Sequence, residues 1–157
     1  MYEQISAFFT IEMIYLWLSF GVIPFWFILI FFPQSKVCGL LVTSIIPFLI
    51  LGSVYIYLVY YFFNTSYDFL ENFELYLGIY NLANLFENEA FLILIWTHFL
   101  AINLFCAAWI VRDSQKYFMP KYLNIIPLII TYFVGPVGIV IYWIIRIFFA
   151  KKISLFD

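Results

Sequence analysis

Within one apolar stretch, residues 96–113, the chain carries its single histidine, His98, together with Asn103 and an Arg112-Asp113 pair at the end. Hydrocarbon penalises such groups. They are therefore expected to face a bundle interior, where they can move a proton, hold a polar atom or tie helices together. An imidazole titrates near neutral pH and both gives and takes a proton, so His98 is a candidate general base or hydrogen-bond anchor. The alternative is a plain interhelical hydrogen bond worth about 1 kcal/mol. On a helix Asn103 is rotated about 140° from His98, so the two cannot share one face. They line two walls of one cavity or touch different neighbours. Arg112 suits the negative end of a helix dipole. Asp113 does not, so it either has a partner or begins a loop. An interfacial snorkelling pair is the plainer reading of both.

Other positions add to this set. Glu12 lies near the start of an apolar stretch, at headgroup level or, if deeper, as a proton-transfer partner for His98 or Asn103. In Gly135-Pro136-Val-Gly138 the proline removes a backbone donor and kinks a helix, while the glycines bare backbone for a neighbouring helix or a ligand. Ser44, Pro47, Tyr55 and Tyr57 give the second apolar stretch a partly polar face. The chain is 25% aromatic. Much of this is interfacial belt; aromatic walls also suit a flat conjugated ligand such as a polyene. Cys38 and Cys106 have no CxxC or Cys/His neighbourhood and read as packing residues. One histidine and no cysteine cluster argue against a protein-ligated metal, and no cofactor is implied.

The elements that must position these residues are membrane helices. The chain is 67% hydrophobic and 10% charged, with mean hydropathy +1.06; a soluble domain carries about 25% charged residues. Lipid is the expected solvent, in a single transmembrane domain over residues 1–157. The formal net charge is -2 with no basic tract, which gives no argument for nucleic acid. The start has no basic n-region, so the first apolar run is expected to be retained. A span needs about 20 apolar residues. Four stretches qualify, at about 10–32, 37–63, 91–111 and 125–149. This predicts an all-α polytopic bundle of four transmembrane helices. Between the second and third, residues 69–86 place Glu71, Glu74, Gly78 and Asn81 on one stripe, which predicts an amphipathic helix packing on the protein. With four spans, Lys36, Arg112, Lys116 and Lys121 lie on one side, and Arg146, Lys151 and Lys152 on the other. That bias is small, and both termini are placed outside the cytoplasm.

The pattern His98-x4-Asn103-Leu-Phe-x3-Trp109-x3-Asp113, followed by Gly135-Pro-Val-Gly138 and preceded by Tyr55 in an apolar span, resembles the abscisic-acid-deficient-four-like membrane proteins. The resemblance covers the whole chain. Plant plastid members of that family are required for neoxanthin formation from violaxanthin. Two departures stand out. Asn103 replaces the usual aspartate, and Ala108 replaces the arginine before Trp109. Asparagine keeps an acceptor but takes no proton at ordinary pH. The resemblance implies a bacterial-type member in the inner (cytoplasmic) membrane that isomerises or rearranges a carotenoid. His98 would then be proton donor or acceptor, and Asn103 and Tyr55 would hold an oxygen; Trp109 and Asp113, with Arg112 and Glu12 from their own chemistry, are further binding candidates. Gly135, Pro136 and Gly138 would shape a lipid-open pocket. Its alternative is a non-catalytic lipid- or pigment-binding or auxiliary protein. A small transporter is less supported, since no repeat is visible. The expected partners are membrane lipid and a carotenoid or other apolar polyene; the oligomeric state is open.

Overall fold

A backbone in hydrocarbon must satisfy its own N–H and C=O groups, so apolar runs of this length fold as helices. The computed structural model describes residues 9–65 and 67–151. Among them every regular element is helical. Helices α1 (Ile11–Gly21) and α2 (Ile23–Phe31) run on through Val22, with Pro24 in the first turn of α2, where its missing N–H is harmless. A π-helical turn follows at Cys38–Val42, entered through Ser35, whose Oγ accepts from the Cys38 N–H at 3.0 Å. Then come α3 (Ile46–Asn64), a 3-10 turn (Glu71–Tyr76), α4 (Ile79–Glu87), α5 (Glu89–Lys116), α6 (Tyr122–Phe133) and α7 (Gly135–Ala150). Among the described residues three stretches are long and apolar enough to cross a membrane: Ile11–Phe31, Cys38–Asn64 and Glu89–Lys116. They coincide with the first three expected spans.

The fourth expected span differs. Residues 125–149 do not form one kinked helix. They are split between α6 and α7, of 12 and 16 residues, with Val134 between them at φ -139° and ψ 75°. The chain reverses there. A Cβ built on Gly138 would lie 2.5 Å from the Thr131 nitrogen and 2.7 Å from the Pro127 oxygen. Residues eleven apart in a continuous helix would be about 16 Å apart, so α6 and α7 are an antiparallel hairpin in backbone contact. Gly138 is required there because only the lack of a side chain lets two backbones approach so closely. The amphipathic segment differs too. Gly78 takes φ 124°, which stops the 3-10 turn before α4 begins. Glu71, Glu74, Gly78 and Asn81 therefore do not share one helix. Phe73, Tyr76, Leu77, Ile79 and Tyr80 are all exposed, and Leu85 is the buried residue of α4.

The chain forms two compact units. The first comprises Met1–Gly21 and Phe48–Leu100. In it the Trp96 indole donates to Ser19 Oγ at 3.0 Å, Tyr15 packs on Trp96 at 5.6 Å, and Phe86 meets Phe91 edge-on at 5.5 Å. The second comprises Val22–Pro47 and Ala101–Asp157. In it α2, the later half of α5, α6 and α7 enclose Leu29, Leu104, Ile110, Leu128 and Tyr142, all 0–1% exposed. Trp26 packs edge-on against Tyr132 at 5.2 Å, and the Gln115 amide donates to the Pro33 carbonyl at 2.7 Å.

Candidate functional site

The second unit holds a buried charge cluster. Asp113, near the end of α5, accepts from Arg146 Nε on α7 at 2.7 Å through Oδ2, and the same oxygen accepts from the Tyr142 hydroxyl at 2.6 Å. Arg146 Nη2 reaches Asp113 Oδ1 at 3.5 Å and donates to the Tyr117 hydroxyl at 3.1 Å. The guanidinium lies over two rings, 4.8 Å from the centre of Tyr117 and 4.9 Å from Trp143. Arg146 is 1% exposed and the Asp113 side chain 9%. Trp109 closes the cluster, edge-on to Tyr142 at 5.6 Å and stacked on Trp143 at 6.5 Å. Planar, weakly hydrated arginine suits this place between a carboxylate and two aromatic faces. Both Asp113 oxygens are engaged, so the cluster is a clamp between α5 and α7. It is not an open acid-base site.

Asn103 serves the hairpin. Its Nδ2 reaches the Tyr132 carbonyl at 3.5 Å, and a Cβ on Gly135 would fall against its Oδ1 and 3.2 Å from its Cγ. Thr131 donates to the Pro127 carbonyl at 2.7 Å, and Gly138 lies against it. Pro136, in the first turn of α7, is exposed. In the first turn of α6 Asn124 Nδ2 donates to Ser114 Oγ at 2.7 Å, while Asn124 Oδ1 has no partner among the described residues.

His98 belongs to the first unit, is exposed, and has no hydrogen-bond partner among the described residues. Tyr55 is 38% exposed, and Arg112 is exposed. Glu12 is exposed at the N-terminal end of α1 and shares a groove with Glu89. That groove has a volume of about 620 Å³ and is walled by Ile11, Tyr15, Leu16, Leu92, Ile93 and Trp96. A smaller apolar groove of about 330 Å³ in the second unit runs between Trp26 and Phe27 of α2 and Tyr132 of α6. Among the described residues no group of three or more His, Cys, Asp or Glu could hold a metal ion. Sequence reasoning named Trp109 and Asp113, which meet in the cluster, and Glu12, which lines the groove, but missed Arg146, Tyr142, Tyr117 and Glu89. A lone arginine inside an apolar stretch was the available signal for the clamp, because it needs an acidic partner somewhere.

The fold and its clamp define a protein that is all-helical among the described residues, with helices long and apolar enough for a membrane and with Asn103, Asp113 and Arg146 directed at its own packing. The chain belongs to the ABA DEFICIENT 4-like family, whose model matches residues 13–142. It is similar to Protein ABA DEFICIENT 4, chloroplastic, of Arabidopsis thaliana, with 27% identity over 105 residues. That match takes in 61% of this chain and 44% of the relative, so the chain spans less than half the relative's length. No solved structure matches. A bacterial inner membrane gains no support from these comparisons, as the relative is a chloroplastic plant protein.

Proposed function

We propose that this chain works within a lipid bilayer and holds a carotenoid-like polyene in the groove of α1 and α5. The groove itself carries the reading. Its volume, about 620 Å³, falls within the roughly 300–1,000 Å³ of small-molecule sites. Its walls are aliphatic and aromatic, and its charged groups are the two carboxylates of Glu12 and Glu89. An apolar conjugated chain lies against Tyr15, Leu92 and Trp96, and an oxygen on its end group meets the carboxyls. Family membership supports the ligand class.

Rearrangement of the bound polyene is the second reading, and the presence of two carboxyls in one groove favours it. Opening an epoxide to an isomer needs a carboxylic acid to protonate the oxygen as the C–O bond breaks. It also needs a carboxylate to take a proton from a neighbouring carbon, so no atom is gained or lost overall. His98 is not among the residues lining the groove. Asn103 packs at the hairpin instead.

Expression in a carotenoid-producing bacterium, with chromatography of protein-bound and extracted pigment, tests both readings. The wild-type protein is expected to carry pigment, and His98→Ala to leave it in place. If a rearranged product forms, Glu12→Gln abolishes it and His98→Ala does not. Well-folded wild-type protein that binds none of the pigments would overturn the proposal.

A further inference from the structure

Four spans would put Arg146 near the membrane face opposite to Asp113, about 30 Å away across the hydrocarbon. The two side chains instead meet at 2.7 Å. The end of α7 is therefore level with the end of α5. We infer that residues 122–150 do not cross the bilayer. They enter it as a re-entrant helical hairpin and leave by the same face, so that the chain crosses three times and its basic residues gather on one side.

Helix lengths agree. At 1.5 Å per residue α6 is about 18 Å long and α7 about 24 Å, each short of the roughly 30 Å core. The tip of the hairpin, Val134-Gly135, lies against Asn103. That residue is about 20 Å by helical rise from either end of α5, so the tip reaches the bilayer middle. Irregular backbone at that depth is tolerated only where protein satisfies it. Several of its groups are satisfied here. The Val134 N–H donates to the Ile130 carbonyl at 2.7 Å, and the Val137 and Gly138 N–H groups to the Val134 carbonyl at 3.0 and 3.3 Å. The Asn103 amide reaches the Tyr132 carbonyl, and Pro136 has no N–H to satisfy. An amide at mid-span, unexplained by chemistry, is accounted for as the cap of a turn in hydrocarbon.

Contacts within each unit fit the count of crossings. Glu12 begins the first span and Glu89 the third, and both line one groove. Pro33 follows the first span and Gln115 ends the third, and they share a hydrogen bond. On this count Lys36, Arg112, Lys116, Lys121, Arg146 and Lys151 all lie on the hairpin's side. They are all the described basic residues; Lys152 lies outside the described ones. Glu12, Asp68, Glu71, Glu74, Glu87 and Glu89 lie on the other. Reversal at Val134 thus turns a near-even split of the basic residues into one that puts every described basic residue on a single side. The positive-inside rule then fixes the hairpin's side as cytoplasmic when the chain is inserted in a bacterial inner membrane.

The test uses the full chain in such a membrane. Glu74→Cys and Lys121→Cys are treated with a membrane-impermeant maleimide in intact and permeabilised cells, with the wild type as control for Cys38 and Cys106. Separately, alkaline phosphatase or a fluorescent protein is fused after Asp157. Labelling of position 74 in intact cells, labelling of 121 only after permeabilisation, and a fluorescent but phosphatase-silent fusion are expected. A terminal fusion on the same side as position 74 would restore four spans and overturn the hairpin. A fusion opposite to position 74 but outside the cell would overturn the assigned orientation.

Discussion

Asp113 and Arg146 show what one buried pair does in a chain with few charges. A paired charge in a low-dielectric interior contributes little over an apolar pair, yet removing one partner strands the other and costs about 3–5 kcal/mol. Arg146→Ala is therefore expected to lower the denaturation midpoint in detergent strongly. Arg146→Lys should recover only part, because an ammonium cannot use both Asp113 oxygens and both rings. Asp113→Leu combined with Arg146→Met should be milder than either single change. Equal stability of Arg146→Ala and wild type would remove the clamp. The glycines give a second contrast. Gly138→Ala drives a methyl into the Thr131 and Pro127 backbone and should cost about 1–3 kcal/mol or more. Gly52→Ala, on α3 with nothing within 4 Å of the new methyl, should be neutral or stabilise by up to about 1 kcal/mol. Gly135→Ala meets a side chain rather than backbone, so Asn103→Ala in the same protein should relieve part of its cost. At this scale the sequence made Asp113 legible as a residue in need of a partner. It did not reveal that the partner was Arg146, because that depends on where α7 turns. His98 stood out by rarity alone, and the structure leaves it exposed.

Element positions were the most legible feature and their directions the least. Three span-length helices follow from run length and polar breaks. The α6–α7 hairpin does not, because hydrophobic periodicity is the same in a kinked helix and in one that doubles back. Gly135, Pro136 and Gly138 were visible as a local disturbance. Whether they bend the chain slightly or reverse it depends on the tertiary contact at Gly138, which lies outside any sequence window. The segment after α3 repeats the lesson in smaller form. Glu71, Glu74, Gly78 and Asn81 have helical spacing, but Gly78 adopts a backbone angle that ends a helix. An alanine there is strained by about 1–3 kcal/mol. Gly78→Ala should accordingly speed amide hydrogen exchange through Glu71–Glu87 while leaving α5 unchanged. Uniform protection in both proteins would contradict a glycine-dependent break.

For the molecule as a whole, composition alone pointed to lipid as the solvent, since a chain that is 10% charged has little polar surface to cover itself with, and three helices among the described residues are long and apolar enough to cross a membrane. The spacing from His98 to Gly138 identified the family. Neither specified a ligand site, because the groove is made by α1 and α5 residues that are unremarkable one at a time: Tyr15, Leu16, Leu92 and Trp96. Occupation of that groove is the central functional claim, and the most direct measurement is the pigment-to-protein ratio of purified variants made in a carotenoid-producing host. Leu92→Trp fills the groove at a position already 46% exposed, and Leu40→Trp adds the same bulk at a position 67% exposed outside it. A polyene held in the groove means that Leu92→Trp loses the pigment while Leu40→Trp keeps the wild-type ratio. Equal pigment on all three proteins, or none on any, would contradict it.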